Sequence, residues 1–558
     1  MPDPETIHLG GAQVRLLPHT WRNAASSVAA NDDYEYAAFA IAAGSLSGQF
    51  LLLTMREPSQ LKIKRKRVTF AADRNRVITR LFIPGDAQKV RHLIHRLLDL
   101  PEREVDRLLD QILEDFSGRH RNINAVFLAH YREGKQYVDD PGNLSAKRRL
   151  LIGAYLTREY SIESAALFNP SMVADPDQND LGPGCLRVII SFRATGEGHV
   201  SSIEFRRAVL NEKNDLVLEP VSPYLEAEKI VKNMFYDRNL FGLRLLEMIL
   251  PKDDPSHDRP STMRANDVLL SLLDKLDDQF NYAQLREALS RIKQERELDP
   301  EILPEMLDRI DGLAKSDYQI RFSRETPLSE RVIFPVSNHE RRGIEDARFV
   351  RFVDGEDVTY YATYAAFDGA NAQTQLLETK GFLTFNISSL SGKHANTKGL
   401  SLFPRKINGK YAMISRIDGE NLYVMYSSDV HFWHDAKKLQ EPKYPWEFVQ
   451  IGNCGSPIET DAGWLLLTHG VGPMRRYCLG ATLLDLEDPT KVIGRLDKPL
   501  LAPDEYEREG YVPNVVYTCG GIVHNNEVII PYAMSDSASS VATVSLPALL
   551  DLLRRGNG

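Results

Sequence analysis

Residues 343–348 read Gly-Ile-Glu-Asp-Ala-Arg, and residues 358–364 shortly after them read Val-Thr-Tyr-Tyr-Ala-Thr-Tyr. The second stretch is rich in β-branched and aromatic residues and therefore predicts a strand. The first stretch places two adjacent acids and an arginine at the mouth of this apolar strand. A carboxylate there can be partly desolvated and still be held by a cation, so Asp346 is a candidate catalytic acid. The alternative is that Glu345 and Arg348 form a surface ion pair and that Asp346 is a turn residue.

Strand-like segments of the same kind occur on both sides of this stretch. Short β-runs broken by Gly, Pro and Asp cover residues 162–205 and return at a regular rhythm from about 318 to 543, a pattern typical of β-sandwiches and β-propellers. Over roughly 300 residues, this rhythm suits about five four-stranded blades. Because no exact repeat is visible, the rhythm alone does not determine the number of blades.

Helical patterns flank and interrupt the strands. Apolar residues at helical spacing predict a helical hairpin over residues 86–116 and a further helix over 145–156. The pattern is helical again from about 224 to 314, which indicates an insertion between two groups of strands. A lid, a domain contact and an oligomer interface stay open as roles for the helical parts. The predicted domains are an N-terminal α/β extension with the helical hairpin over 1–150, a first part of the β-rich domain over 151–222, a helical insertion over 223–317 and the remaining β-rich part over 318–558.

The composition argues against several classes of protein. With 558 residues, a hydrophobic fraction of 43% and a charged fraction of 26%, the chain has the composition of a globular protein with two or three structural units. The formal net charge of -9 argues against a nucleic-acid or membrane-surface role. Four scattered cysteines without metal-ligand spacing predict reduced thiols and no metal site. We predict a cytoplasmic protein, because the N-terminus lacks a basic start followed by an apolar core.

Two segments need a separate interpretation. Residues 37–55 carry no charge, but they are only moderately apolar and contain Gly44, Gly48 and Gln49. We therefore predict two buried strands there and no membrane span. In the basic run at residues 61–68, charged residues alternate with Ile and Val, which predicts a solvated edge strand. The alternative is a polyanion-binding patch.

Five sequence blocks resemble the motifs of one enzyme family. Besides residues 343–348, the blocks are residues 402–411, Leu-Phe-Pro-Arg-Lys-Ile-Asn-Gly-Lys-Tyr; 463–470, Gly-Trp-Leu-Leu-Leu-Thr-His-Gly; 488–495, Asp-Pro-Thr-Lys-Val-Ile-Gly-Arg; and 507–516, Glu-Arg-Glu-Gly-Tyr-Val-Pro-Asn-Val-Val. In this order they are similar to the motifs of glycoside hydrolase family 130, the β-mannoside phosphorylases and related β-mannosidases. The resemblance covers about 160–222 and 318–545. It implies a mainly β fold, a five-bladed β-propeller with a funnel-like active site on its axis.

The resemblance also implies roles for individual residues. Asp346 matches the catalytic acid, which in the family protonates the glycosidic oxygen through the 3-hydroxyl group of the bound mannose. Such an acid needs a raised pKa, and the adjacent Glu345 would raise it by like-charge repulsion while Arg348 would oppose the rise. Asn169 and Asp536 match residues that hold the mannose, and Glu345 and Arg348 are expected to join them at the substrate.

The predicted reaction depends on the attacking nucleophile. A phosphorylase must hold a phosphate dianion beside the anomeric carbon, which requires several cationic or hydroxyl donors in one pocket. In the family, the residues matched by Arg416, His469 and Tyr477 bind phosphate, with a lysine of the second block near them. Arg405 and Lys406 of that block are therefore further candidates for phosphate binding.

A hydrolase would instead need a carboxylate base that activates water, and Glu459 and Glu507 are candidates for this role. The chain departs from the family motifs at Ala347, Ser415 and Thr468. These departures leave the acid and the anion donors in place, but they affect the expected acceptor specificity and anion preference.

Together with the resemblance, the sequence predicts inverting phosphorolysis of terminal β-mannosides to mannose 1-phosphate. The alternatives are a β-mannosidase that uses water, a β-mannosyltransferase that uses a nucleotide sugar, and a carbohydrate-binding propeller without activity. The expected partners are a β-mannoside oligosaccharide and inorganic phosphate as co-substrate, without a metal or organic cofactor, a nucleic acid or a membrane. Whether the chain forms a homo-oligomer stays open.

Overall fold

The computed structural model describes residues 6–9, 12–15, 61–227, 229–231, 235–249, 259–294, 298–395 and 397–555. The chain divides into two compact units, Met1–Ser59 and Gln60–Gly558. The described part of the first unit is an antiparallel hairpin of β1 (Thr6–Leu9) and β2 (Ala12–Arg15). The strands predicted within residues 37–55 lie outside the described residues.

The second unit begins with short strands and helices. These elements are β3 (Lys64–Arg65), β4 (Val77–Leu81), α1 (Ala87–Leu98), α2 (Glu102–Phe116), α3 (Ile123–Gly134), α4 (Ala146–Tyr155) and β5 (Thr157–Ser161). The predicted helical hairpin and the helix at 145–156 are confirmed, whereas α3 was not predicted. A Cβ atom on Gly153 of α4 would lie 1.8 Å from the carbonyl oxygen of Phe127 in α3. The close packing of α3 on α4 therefore requires glycine at this position.

The largest sheet begins after β5. Its first strands are β6 (Ala166–Ala174), β7 (Leu186–Thr195), β8 (Ser201–Leu210), β9 (Leu216–Leu218), β10 (Glu226–Ala227) and β11 (Lys229–Val231). The strands β6 to β9 pair in chain order and form a first antiparallel run.

Helices then interrupt the sheet, as the sequence predicted. The elements of this segment are β12 (Phe235–Asp237), α5 (Arg238–Ile249), α6 (Arg259–Asp274), β13 (Gln279–Asn281), α7 (Tyr282–Ile292) and α8 (Leu303–Ser316). They share an apolar core that includes Phe241 and Leu272. Arg244 of α5 forms a buried ion pair with Asp317, and Asp317 accepts a hydrogen bond from the backbone N–H of Ser389 at 3.0 Å. The predicted domain boundaries at 150, 222 and 317 stay predictions.

The largest sheet continues after the helices. Its remaining strands are β14 (Tyr318–Arg321), β15 (Arg331–Ile333), β16 (Gly343–Asp354), β17 (Asp357–Phe367), β18 (Ala372–Thr379) and β19 (Thr384–Ser389). The strands β16 to β19 form a second antiparallel run, and Gly343 pairs in parallel with Ser201 of β8. The two runs thus belong to one 12-stranded sheet. The aromatic strand predicted at residues 358–364 lies within β17 and is confirmed.

Three further sheets follow the largest sheet along the chain. The first contains β20 (Ser401–Leu402), β21 (Tyr411–Ser415), β22 (Leu422–Ser427) and β23 (Asp435–Gln440). The second contains β24 (Gln450–Asn453), β25 (Ile458–Thr460), β26 (Gly463–Val471), β27 (Tyr477–Leu484) and β28 (Val492–Arg495). The third contains β29 (Val516–Tyr517), β30 (Ile522–His524), β31 (Glu527–Met534), β32 (Ala538–Ser545) and β3. Helix α9 (Leu546–Arg555) follows β32. Lys64 of β3 pairs with Thr543 of β32, so the predicted edge strand is confirmed over a shorter length.

Apolar cores lie between each antiparallel run and the next run along the chain, and a further core lies between the last sheet and the first run. Phe205 of β8 packs against Phe349 of β16 with ring centroids 5.9 Å apart. Ile190 of β7 and Ile529 of β31 share the core that joins the last sheet to the first run. The fold is therefore mainly β, with antiparallel runs that pack on one another in a closed order.

A buried cluster of two arginines and two glutamates connects the N-terminal segment to the largest sheet. Arg76 donates to Glu163 at 2.6 Å and to Glu204 at 2.8 Å, and Arg206 contacts the same two carboxylates at 2.6 and 3.1 Å. Arg76 also donates to two backbone carbonyl groups at 2.7 Å. All four side chains are buried, so removing one arginine would leave buried carboxyl groups without a hydrogen-bonded cationic partner.

Replacing Arg76 by Met is expected to destabilise the protein by about 3–5 kcal/mol, because the buried carboxyl groups of Glu163 and Glu204 would lose one of their two arginine partners. Thermal denaturation followed by circular dichroism would show this as a lower midpoint. Arg107→Met is the control, since Arg107 pairs with Glu104 at an exposed site and its loss should have little effect. Equal midpoints for the two variants would contradict a structural role for the cluster.

Candidate active site

Polar side chains from several sheets converge on one pocket. They come from β16, β24, β26 and β29 and from the segments that follow β19 and β21. The pocket is lined by Glu345, Asp346, Arg348, Ala365, Lys398, Gly399, Arg416, Gly452, Asn453, His469 and Tyr517. Acidic, cationic and aromatic groups therefore share one concave site, as is common in enzyme active sites.

Asp346 and Asn169 lie at irregularities of two strands. The pairing of β16 with β17 shifts around Asp346, and the pairing of β6 with β7 shifts around Asn169. Asp346 has a φ of 55° and Asn169 a φ of 48°, both in the left-handed region that Asn and Asp tolerate better than most residues. Such irregularities turn side chains out of the normal alternation of a strand. As a result, Asn169 Nδ2 donates to Asp346 Oδ1 at 2.6 Å.

Cationic side chains surround Asp346 and its neighbour Glu345. Arg193 lies 3.5 Å from Asp346 and donates to Glu345 at 2.9 Å, and Lys398 donates to Glu345 at 3.0 Å. Arg348 donates to the backbone carbonyl group of Asp346 at 3.1 Å and to the hydroxyl group of Tyr517 at 2.7 Å. Both acids are thus held by groups of fixed positive charge.

These charges lower the pKa of Asp346. Burial alone raises the pKa of this carboxyl group, but the charges of Arg193, Arg348 and Lys398 and the hydrogen bond from Asn169 together hold the pKa below its usual value. The raised pKa that a catalytic acid needs is therefore absent from the free protein, and the opposition expected from Arg348 prevails over repulsion by Glu345. The physical reason is that Arg193 and Lys398 pair with Glu345 and offset its charge. Asp346 is ionised at neutral pH in this state.

Asp536 does not line the pocket, but its carboxyl group is electrostatically coupled to Asp346. It lies in the turn between β31 and β32 with a φ of 51°. Burial, followed by the negative charge of Asp346, raises the pKa of Asp536 to about 6. The environment thus moves the pKa values of two electrostatically coupled carboxyl groups in opposite directions, which is typical of acid–base sites.

Replacing Asp536 by Asn should stabilise the folded protein at pH values above the pKa of Asp536. The folded pKa of about 6 exceeds the roughly 3.9 of an unfolded aspartate, so the wild-type protein loses stability as the pH rises through this interval. The neutral Asn side chain avoids a loss of up to about 2–3 kcal/mol. We expect a higher melting temperature than wild type at about pH 8 and a difference that shrinks as the pH falls to about 4. A difference that is independent of pH would contradict the raised pKa.

The basic part of the pocket includes His469 of β26. Arg416 Nη1 lies 3.5 Å from His469 Nε2, and Cys454 Sγ lies 3.5 Å from Nδ1. Burial, together with the charges of Arg416 and Arg348, lowers the pKa of His469 well below its usual value, so the imidazole is neutral. Because a guanidinium group only donates, Nε2 accepts and Nδ1 carries the proton. Tyr477 stacks on this ring with centroids 5.8 Å apart.

The basic part of the pocket also includes a closely packed glycine and a buried arginine with hydrogen-bond donors. A Cβ atom on Gly452 would lie 2.2 Å from His469 Cε1, so only glycine leaves room for the imidazole. Arg348 is 5% exposed, and its Nε is buried without a hydrogen-bond partner among the described residues. Arg348, Arg416 and the hydroxyl group of Tyr517 therefore present donors that suit an oxyanion.

The described residues contain no group of three or more His, Cys, Asp or Glu side chains placed to hold a metal ion. Likewise, none of the helices in the described part of the chain is long and apolar enough to span a bilayer.

Known proteins are similar to part of this chain. A family model described as beta-1,4-mannooligosaccharide phosphorylase matches residues 305–555. The 1,2-beta-oligomannan phosphorylase of Thermoanaerobacter sp. (strain X514) is 37% identical over 241 residues, which cover 42% of this chain and 78% of that protein. The chain belongs to glycoside hydrolase family 130. As a family 130 member, it is an enzyme that acts on glycosides.

Further relatives have a lower sequence identity to this chain. The beta-1,2-mannobiose phosphorylase of Listeria innocua serovar 6a is 31% identical over 229 residues, which cover 40% of this chain and 63% of that protein. The solved structure of the beta-1,2-mannobiose phosphorylase from Listeria innocua in complex with beta-1,2-mannobiose has a TM-score of 0.39 and 22% identity, covering 71% of this chain and 93% of that chain.

The structure brings together many of the residues that the resemblance to family 130 indicated. The pocket lining includes Glu345, Asp346, Arg348, Arg416 and His469. Two more predicted residues contact lining residues, since Asn169 donates to Asp346 and Tyr477 stacks on His469. The charge of Asp346 also acts on the predicted residue Asp536.

Four other predicted residues lie outside this pocket lining. Arg405 pairs with Glu459 at 2.7 Å, and Lys406 pairs with Asp354 at 2.7 Å. Glu507 accepts hydrogen bonds from an arginine of β3 at 2.9 Å and from the hydroxyl group of Tyr532 at 2.6 Å. Each of these charged groups is thus held by a charge of opposite sign. We therefore leave Arg405, Lys406, Glu459 and Glu507 out of the proposed site.

Sequence reasoning missed four polar residues of the site. Arg193 precedes Glu345 by 152 residues, so no local spacing indicated their contact. Lys398 and Asn453 lie outside the five motif blocks, and the buried Asn453 Oδ1 has no hydrogen-bond partner in the described part of the chain. Tyr517 directly follows the last residue of the 507–516 block, and this position was the one available signal.

Proposed function

We propose that the chain is an inverting β-mannoside phosphorylase that forms mannose 1-phosphate. The main support is that Asp346 shares one pocket with Arg348, Arg416 and His469. A general acid must act beside the glycosidic oxygen, while phosphate needs several donors beside the anomeric carbon. The relatives from Thermoanaerobacter and Listeria, both phosphorylases by name, support the same reaction.

In the proposed reaction, a phosphate oxygen attacks the anomeric carbon of a terminal β-mannosyl unit while the bond from that carbon to the glycosidic oxygen breaks. Asp346 supplies the proton that reaches the leaving oxygen. Attack on the face opposite to the leaving group inverts the configuration, so the products are α-mannose 1-phosphate and the shortened acceptor. Asn169, Glu345 and Asp536 hold the mannose. The reaction needs inorganic phosphate and no metal or organic cofactor.

Substrate binding would also convert Asp346 to its acid form. A phosphate dianion near Arg348 and Arg416 offsets the positive charge that lowers the pKa of Asp346. The bound sugar removes water from the carboxyl group, which raises the pKa further. We infer that Asp346 takes up its proton when mannoside and phosphate are both bound.

We also infer that the antiparallel runs are the blades of a five-bladed β-propeller. The runs are β6–β9, β16–β19, β20–β23, β24–β28 and β29–β32 with β3. Apolar cores join successive runs and join the last to the first, which is the packing that a propeller requires. Residues of several runs meet in the pocket, as they would on the axis of such a fold.

The geometry supports phosphate rather than water as the nucleophile. Glu459 and Glu507, the predicted bases for water, are both held by arginines. An anion site with two arginines has no evident use in hydrolysis, whereas phosphorolysis depends on it.

The test is to incubate the protein with β-1,2- and β-1,4-mannobiose, with and without inorganic phosphate. We expect mannose 1-phosphate only when phosphate is present. Free mannose at the same rate without phosphate would identify a β-mannosidase. Turnover of GDP-mannose in the absence of phosphate would identify a mannosyltransferase.

A further inference from the structure

Two exposed rings from different sheets stack on each other. His199 lies in the loop between β7 and β8, and Tyr511 lies in the loop between β28 and β29. Their ring centroids are 5.6 Å apart, with an interplanar angle of 27°. Tyr511 is 70% exposed, and His199 is exposed as well. Because exposed rings bury little apolar area, the pair contributes little to folding.

The loop of His199 is anchored beside the carboxylates of the pocket. Arg193 of β7 donates to Ser201 of β8 at 2.9 Å and to Glu345 at 2.9 Å. Ser201 also pairs with Gly343 at the start of β16. His199 itself has a φ of 59°, and non-glycine residues in this conformation concentrate at functional sites.

The loop of Tyr511 is anchored beside Asp536. The backbone N–H of Val512 donates to the carbonyl group of Ser535 at 3.1 Å, and Ser535 Oγ donates to a carbonyl group of the same loop at 2.6 Å. A Cβ atom on Gly510 would lie 2.3 Å from the carbonyl oxygen of Ser535. Since Ser535 directly precedes Asp536, the loop of Tyr511 is held beside the segment whose carboxyl group is electrostatically coupled to Asp346.

We propose that the stacked rings of His199 and Tyr511 form a platform for the acceptor sugar, the unit on the leaving side of the cleaved bond. The proposal rests on the proposed phosphorylase function. One face of a pyranose ring presents C–H groups that pack on aromatic faces, while the tyrosine hydroxyl group and the imidazole nitrogens can bind sugar hydroxyl groups. The leaving sugar must reach solvent, which suits exposed rings at the edge of a buried site.

Tyr511→Ala tests the platform in the synthetic direction, with mannose 1-phosphate as donor and β-1,2- or β-1,4-mannobiose as acceptor. We expect the KM for the acceptor to rise roughly tenfold, while the KM for mannose 1-phosphate stays close to that of the wild type. Tyr511→Phe keeps the ring and should retain most of the acceptor affinity. Tyr506→Ala is the matched control, because Tyr506 lies in the same loop and is 95% exposed. An unchanged acceptor KM in Tyr511→Ala, or an equal rise in Tyr506→Ala, would overturn the proposal.

Calorimetric titration without phosphate separates this proposal from the proposed function. The platform predicts that Tyr511→Ala binds mannobiose roughly tenfold more weakly than wild type but binds mannose equally well. If the wild type forms no mannose 1-phosphate yet shows this difference, phosphorolysis is contradicted and the platform is supported. If the wild type forms mannose 1-phosphate and both proteins bind mannobiose equally, the platform alone is overturned.

Discussion

Replacing Asp346 by Asn is expected to lower turnover of mannobiose by about 10³-fold, which lies within the range for loss of a general acid. Asn has nearly the same size and tolerates the φ of 55° at this position. Its amide oxygen can still accept the hydrogen bond from Asn169, so the fold and sugar binding should persist. Steady-state kinetics measure the loss of turnover, and a melting curve measures the stability of the variant.

An activated substrate separates acid catalysis from a structural effect. The nitrophenolate of 4-nitrophenyl β-mannoside leaves with little protonation, so Asp346→Asn should lose far less activity on this substrate. Glu345→Gln is the matched control, because it removes the neighbouring carboxylate that Arg193 and Lys398 hold. It should affect both substrates to a similar degree. If Asp346→Asn loses equal activity on both substrates, Asp346 is not the acid.

Replacing Arg416 by Gln is expected to raise the KM for phosphate by roughly 10- to 100-fold, because a charge-assisted hydrogen bond to the dianion is lost. Gln can still donate to His469 Nε2, so the imidazole should keep its orientation. The KM for the mannoside should change little, since Arg416 is proposed to contact phosphate alone. Initial rates at varied phosphate and varied mannobiose concentrations measure the two constants separately.

Arg405→Gln is the matched control for this prediction. Arg405 belongs to a motif block, but it pairs with Glu459 and does not line the pocket. Its replacement should therefore leave the KM for phosphate close to that of the wild type. An equal rise in both variants would show that Arg405 also belongs to the phosphate site and that this site extends beyond the residues that line the pocket.

Local signals made much of the fold predictable. The β-branched and aromatic stretch at residues 358–364 indicated β17, and apolar residues at helical spacing indicated α1 and α2. Motif blocks indicated Asp346 and His469, which line one pocket although they come from different sheets. In each case a few consecutive residues contained the information.

Contacts between distant parts of the chain could not be predicted in this way. The pairing of Lys64 with Thr543 depends on the tertiary fold and has no local signature. The same is true of the pKa of Asp346, because Arg193 approaches it from another strand. The adjacent Glu345 was visible in the sequence, whereas the cations that offset its charge were not. The ion pair of Arg405 with Glu459 is a further contact that only the structure shows.

Phosphorus-31 NMR of a reaction mixture of protein, mannobiose and inorganic phosphate tests the proposed role of phosphate most directly. The proposed function predicts that the inorganic phosphate signal falls while an α-mannose 1-phosphate signal rises by an equal amount, with one mannose released as acceptor for each phosphate consumed. If mannobiose disappears while the inorganic phosphate signal stays constant, phosphate is not the nucleophile and the proposed function is contradicted.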